Sequence, residues 1–527
     1  MNRERNDTLP MPNGRSVEIN EKFRAALDVL ENTNKNIFIT GRAGTGKSTL
    51  LEYFRLTTKK NVAVLAPTGV AALNVKGQTI HSFFGFRPDV TQFTVRKKRG
   101  SSLYRSLDMI IIDEISMVRA DLLDCIDKFM RLNGKDSSLP FGGVQMAFVG
   151  DLYQLSPIVT YREKKMFKEY YASEYFFDAN AFNDLDAEFV ELDKCYRQDD
   201  AHFIELLNAV RNNTATEVHL KELNKRFDPS FSPMVSDGYI TLVPINRLAD
   251  EINNANLAKL KTETFAYKAR FKGDFDIKSL PAEERLYVKV GSQVMLLNND
   301  KDRRWVNGSV GYIAAINQED GAADVIIVRF ADGSTAEVTP HTWELFRFSY
   351  DAGSRRLIPE VIGSFTQYPM MLAWAVTIHK SQGKTFDKMI VDVGSGTFAN
   401  GQLYVALSRC VSLEGIILKK RLEKRHIFTD WRVVRFITRY QYGKSEKKMP
   451  LREKKKLIEQ AIKSGKSIEI LYLKANDEKS RRIVKPSKIG RFDYMGMSYS
   501  GMSGFDSKRK EERNFRIERI LEIKTIE

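Results

Sequence analysis

The sequence predicts an α/β protein built on mainly parallel sheet, and three stretches carry that prediction. Short apolar runs recur as IFIT, MIIID and MAFVG, each ending in glycine or carboxylate and followed by a helical pattern. Strands alternating with helical segments are the signature of doubly wound sheet, whose ligands sit at the strands' C-terminal ends. The first run opens Ile37 to Thr49, IFITGRAGTGKST, with the spacing GxxxxGK(S/T) and a helix start, LLEYFRL, behind it. Gly41, Gly44 and Gly46 let backbone N–H groups approach phosphate oxygens that a Cβ would block. Thr45 and Thr49 complete the loop, Lys47 adds a mobile positive charge, and the Ser48 hydroxyl suits Mg²⁺. A nucleoside triphosphate site is the first expectation.

Composition bounds the rest. The chain has 527 residues, enough for about three to five domains. No apolar run approaches ~18 residues and the N-terminus has no apolar core, so neither a membrane span nor a signal peptide is expected. Cys125, Cys195 and Cys410 lie far apart, which excludes a disulfide framework and suits a reducing compartment such as a bacterial cytoplasm. The net charge of +16 points to a polyanionic partner such as nucleic acid. From Gln441 to Glu527 there are 23 Lys and Arg against 13 Asp and Glu, so the tail is a compositional unit of its own.

In chain order, residues 1–17 read as a disordered leader and Ile19 to Leu30 as a helix. Residues 18–192 form the first α/β domain, with a polar, basic insertion near 84–103. Residues 193–282 and 366–440 read as a second α/β domain. Short strands broken by glycine from 283 to 365 suggest a small β-barrel inserted in it. A charged linker, 441–456, precedes a last unit at 457–527 with one helix and several strands.

Strand ends carry the remaining chemistry. Asp113 suits Mg²⁺ and Glu114 a water-activating base. Gln154, in GDLYQLSP, suits a γ-phosphate sensor. Arg197 in CYRQ and Arg409 in ALSRC suit forked donation to a transferring phosphoryl group. Thr68, His81 and Phe83, and then Thr377, His379, Lys380 and Ser381, offer hydroxyls, charge and an aromatic ring to a single nucleic-acid strand.

The succession GRAGTGKS, APTGVAA, TIHSF, IIIDEISMV, LPFGGVQMAFVGDLYQLSP, CYRQ, GSQVMLLNND with VNGSVG, AVTIHKSQGKTFD and YVALSR resembles the PIF-type (petite integration frequency) DNA helicases of superfamily one, relatives of the RecD motor. It spans about Ile19 to Leu418. The resemblance implies two RecA-like P-loop NTPase domains with ATP and Mg²⁺ between them, a wedge within 84–103 and an SH3-like barrel at 283–365. It implies 5′-to-3′ movement on single-stranded DNA, unwinding of forked duplex or G-quadruplex DNA in genome maintenance, and a monomeric protein. The family's adenine-reading Gln is replaced here by Lys22 and Phe23. The tail resembles a WYL domain of SH3-like plan, through IEILYLK, RRIVKPSKI and FRIERI, with Asp493, Tyr494 and Met495 at the naming trio. Two other functions fit the motifs: a single-strand translocase that removes proteins without separating duplex, and a DNA-binding regulator switched by ATP.

Overall fold

The computed structural model describes residues 7–10, 16–234, 237–273, 280–318, 321, 323–351, 353–354, 356–394, 399–475, 477–494 and 497–526. Met495 of the naming trio lies outside them. The described residues divide into two compact units, 1–210 with 215–428, and 211–214 with 429–527.

The first unit holds two parallel sheets. Six strands run in the order Gln78–Thr79, Val62–Ala66, Met109–Ile112, Gln145–Val149, Asn36–Gly41, Ala187–Leu192. Ile37, Ile39, Val64, Met109, Ile111, Ala147 and Val149 pack beneath the helices Glu21–Asn32 and Lys47–Thr57, giving one core. Asn20 caps the first of these helices, accepting from Phe23 N at 2.8 Å. This satisfies one of the donors that a helix start leaves open. The second sheet runs Ala375–Thr377, Ile240–Val243, Met389–Val391, Ile416–Leu418, again all parallel.

The β-rich region between Lys259 and Ala375 is wider than its expected bounds and is divided. Thr264–Lys268 pairs with Arg285–Lys289, and Met370–Leu372 closes a five-stranded antiparallel sheet that begins at Gln293–Leu296. These share a core through Leu286, Val288, Val294, Ile313, Ile326 and Met370. The hairpin His341–Asp351 and Arg356–Gln367 pairs instead with Arg270–Gly273. It reaches the first sheet, where Phe348 N donates to Gln78 Oε1 at 3.1 Å and Leu357 N to Asn61 Oδ1 at 3.2 Å.

Two expectations are corrected, at the leader and at the linker. Asp7–Pro10 pairs antiparallel with Ser16–Ile19, so part of the supposed leader is paired strand. The insertion after Phe84 is largely exposed, in keeping with its polar, basic sequence, yet it is tied down: Gln92 donates to Asp124 Oδ2 at 3.0 Å, Lys98 N donates to Asn133 Oδ1 at 2.7 Å, and Val95 is buried. Phe93 alone among its large apolar side chains is 81% exposed. The supposed linker is helical, lying in Trp431–Lys448 and Leu451–Ser464. Its charges hid buried positions at Gln441, Ser445 and Lys454, the first two continuing a stripe begun by Val433, Ile437 and Thr438.

In the second unit, five antiparallel strands run Glu511–Arg516, Met497–Asp506, Lys479–Tyr494, Ile468–Leu473, Ile520–Thr525. The helix Leu451–Ser464 contributes Ile458 and Ala461 to their core. Asp506 is fully buried and paired with Arg482.

Candidate nucleotide and nucleic-acid site

The phosphate loop joins Asn36–Gly41 to the helix that starts at Lys47. Gly44 has φ +78°, and a Cβ there would stand 2.6 Å from Cβ of Arg197. Only glycine fits. Lys47 Nζ donates to the carbonyls of Gly41 and Arg42 at 2.8 and 2.9 Å, folded onto the loop. Thr45 is buried and donates to Arg42 O at 2.9 Å, so it shapes the loop, while Ser48 and Thr49 are exposed at the helix start.

Asp113 and Glu114 follow the strand Met109–Ile112. Burial raises the pKa of both carboxyls; each acidic neighbour adds to this at Glu114, and Lys47 opposes it at both. Glu114 is held at φ +49°, ψ +42°, a left-handed conformation rare outside glycine. Gln154 is buried, with Nε2 donating to Asp151 Oδ2 at 3.2 Å. The donor set of Ser48, Asp113 and neighbouring acids is hard oxygen, which fits Mg²⁺ carried by a nucleotide. Among the described residues no group of three or more His, Cys, Asp or Glu could hold a metal without one.

Both arginines reach this place. Arg197 is not carried by the second sheet, as its expected domain implied. It lies just past Ala187–Leu192, an edge strand of the first sheet, because Tyr196 N donates to Gly44 O at 2.8 Å and holds this loop on the phosphate loop. Its guanidinium crosses to the second sheet's side, donating to Ser408 O at 3.1 Å. Arg409 is buried, donating to Val405 O and Ser408 Oγ at 2.9 Å. Burial, and then Arg197, lower its pKa to about 9 against the pull of Tyr404, Glu114 and Asp151. It stays protonated at neutral pH. Among the described residues neither arginine lies within salt-bridge distance of a carboxylate.

Several contributors escaped motif reading. Tyr404 OH accepts from Ala43 N at 3.0 Å and donates to Asp151 Oδ2 at 3.4 Å. Gly401 brings the helix Gln402–Leu407 so close that a Cβ would meet Tyr153 O at 2.4 Å. Gln198 Nε2 donates to Ser408 O and Cys410 O. Gln382 Nε2 donates to Glu114 Oε2 at 3.0 Å. Aspartate, tyrosine and glutamine beside a motif were the available signal; what they touch was not.

The nucleic-acid candidates separate. Thr68, His379 and Lys380 are exposed and His81 is half-buried. Phe83 is buried in a cluster with Phe84, Tyr104 and Phe348, so it cannot stack on a base. Thr377 and Ser381 are buried too. Thr377 Oγ1 accepts from Lys380 N at 3.3 Å, and Ser381 Oγ donates to Ile378 O at 2.7 Å. These hydroxyls build the turn that presents His379 and Lys380. Lys22, at the site of the absent glutamine, pairs with Asp193, and Phe23 is core. Among the described residues no helix is long and apolar enough to cross a membrane.

Comparison with known proteins follows the same lines. Residues 17–220 match the family described as PIF1-like helicase, and residues 453–525 match the WYL domain. An ATP-dependent DNA helicase Pif1 of Bdellovibrio bacteriovorus is 32% identical over 437 residues, 81% of this chain and 93% of that protein. Among solved structures, Bacteroides sp Pif1 in complex with ADP-AlF4 is 37% identical with a TM-score of 0.73, over 80% of this chain and 96% of that one. Bacteroides Pif1 bound to ssDNA is 38% identical with a TM-score of 0.57, over 79% and 95%.

Proposed function

The chain belongs to the PIF1-like helicases and is an ATP-dependent DNA helicase, and from that premise we propose that it steps 5′ to 3′ along single-stranded DNA and separates forked duplex or G-quadruplex ahead of it. The observation that carries the site assignment is the pair of guanidiniums, Arg197 and Arg409, beside the phosphate loop without a carboxylate partner. Two cations that repel each other in a buried place gain most from a polyanion between them.

In this reading the loop amides and Lys47 bind the phosphates, with Lys47 exchanging its two carbonyl acceptors for phosphate oxygens. Ser48 and Asp113 would hold Mg²⁺, which would supply charge neutralisation of the phosphate oxygens. Glu114 takes the proton of the attacking water, Gln154 orients that water, and Arg197 and Arg409 donate to the transferring group. Because these groups come from both sheets, nucleotide binding closes the cleft and hydrolysis reopens it. Thr68 and His81 on one sheet, and His379 and Lys380 on the other, grip the strand alternately. The residues buried at Thr377 and Ser381 act as supports for that grip.

The insertion at 84–103 serves as wedge, the β-rich insertion as an SH3-like barrel, and the basic WYL unit as an additional DNA contact. On one face of that unit Phe492 stacks on Tyr499, and the Arg516 guanidinium lies 4.5 Å from the Tyr499 ring centroid. Deleting residues 429–527 should weaken DNA binding and flatten its salt dependence.

The deciding experiment is strand separation on duplexes tailed at the 5′ or the 3′ end, with several NTPs and with the Lys47→Ala variant. Product from the 5′-tailed substrate alone, abolished by Lys47→Ala, is expected. ATP turnover stimulated by single strands without any product would establish the translocase instead, and DNA-dependent activity surviving Lys47→Ala would overturn the motor.

A further inference from the structure

The turn after Ala375–Thr377 is rigid and carries two groups with opposite outlooks. Ser381 N donates to Thr377 O at 3.0 Å, Gln382 N to His379 O at 3.1 Å and Lys384 N to Ser381 O at 3.1 Å. His379 and Lys380 are exposed on it. Gln382 points the other way: its Nε2 lies 3.0 Å from Glu114 Oε2 and 3.5 Å from Gln154 Oε1. A displacement of the turn by a strand on His379 and Lys380 therefore moves an amide that holds the hydrolytic carboxylate.

We propose that Gln382 is a positioning residue that restrains Glu114 while no strand occupies the turn, and that strand engagement withdraws its amide so that Glu114 can accept the proton of water. The inference rests on the hydrolytic role given to Glu114 above. A carboxylate oxygen donated to by an amide has one lone pair committed, and its orientation follows the donor. Glu114 has little freedom to escape by itself, since its backbone is already fixed in the left-handed region. Gln382 touches Glu114 and the sensor candidate Gln154 together, so one movement of one turn releases both. The arrangement makes turnover depend on the strand without any contact between strand and nucleotide.

The test is steady-state ATP turnover with and without oligothymidine, in the wild type, Gln382→Met and Gln382→Ala. Methionine keeps the length and packing of the side chain and removes the amide, and with it the donor to Glu114. We expect the DNA-free kcat of Gln382→Met to rise roughly five-fold or more, with KM for ATP unchanged and the DNA-stimulated kcat retained, so the stimulation ratio collapses from below. Gln382→Ala should do the same if thermal melting shows it folded. A DNA-free kcat of Gln382→Met that is unchanged or reduced overturns the restraint. Failure of the motor reading looks different: the wild type itself would show no stimulation by the strand, or Lys47→Ala would retain turnover.

Discussion

The Arg197 guanidinium donates to the carbonyl of Ser408 at 3.1 Å, one residue before Arg409. The loop that leaves the first sheet is thereby tied to the segment that carries the second arginine. Replacing Arg197 by Lys keeps the charge and loses the fork. The Arg197→Lys variant should lose roughly 10²–10⁴-fold in kcat with KM for ATP changed much less, measured by steady-state turnover on single-stranded DNA.

Gly44→Ala places a methyl group 2.6 Å from Cβ of Arg197 at a residue with φ +78°. The loop must deform or Arg197 must leave, so nucleotide binding should weaken at least roughly ten-fold. Titration with a fluorescent nucleotide reads this directly.

Phe93 is exposed at the insertion, while its neighbours Val95 and Tyr104 are buried. Phe93→Ala should cut strand separation several-fold and leave single-strand-stimulated ATP turnover intact. Equal loss of both would remove Phe93 from the wedge.

Lys384 is a charge kept at a cost. Its Nζ has Met295 Sδ at 3.8 Å, and burial, reinforced by Lys380, lowers its pKa to about 8. The folded state therefore binds this proton less readily than the unfolded chain, whose lysine titrates near 10.5. The penalty is complete below pH 8 and lifts as pH rises from about 8 toward 10.5. Lys384→Met should raise stability at pH 7 by about 1–3 kcal/mol, and thermal melting should show the gain vanishing above pH 10.

In the second unit, burial raises the Asp506 carboxyl, but hydrogen bonds from Arg482 and Lys508 N outweigh it and hold its pKa below the usual range. Its stabilisation is present above the unfolded carboxylate value near 4 and is lost as pH falls through the folded value. Arg482→Met leaves the carboxylate buried without its partner and should cost about 3–5 kcal/mol. Hydrogen exchange of the full chain should show faster exchange in Lys479–Tyr494 and no change in Asn36–Gly41.

Motif reading located the phosphate loop, the Asp113–Glu114 pair, Gln154 and both arginines, because each follows a strand or loop whose pattern is local. It failed where one residue type serves two roles. Phe83 and Phe84 follow the same motif histidine as a stacking platform would, yet the nearby Tyr104 and Phe348 bury them. Thr377 and Ser381 are polar in a polar run, yet their hydroxyls close a turn. The stretch 441–456 reads as a charged linker because its exposed charged positions outnumber the few that are buried on its two helices.

The sequence by itself carried the phosphate-loop motif, the strand-end carboxylates and the resemblance to the PIF-type helicases, since each is written in runs of a few residues. Only the tertiary structure decided that Arg197 belongs to the phosphate-loop side, that Tyr404 and Gln382 enter the site, and which residues of the turn after Ala375–Thr377 are exposed. The first two depend on approaches between residues some 150 to 360 positions apart, such as Tyr196 to Gly44 and Ala43 to Tyr404. A hydrogen bond is satisfied by distance and angle in space, and no local pattern encodes which distant partner will supply it.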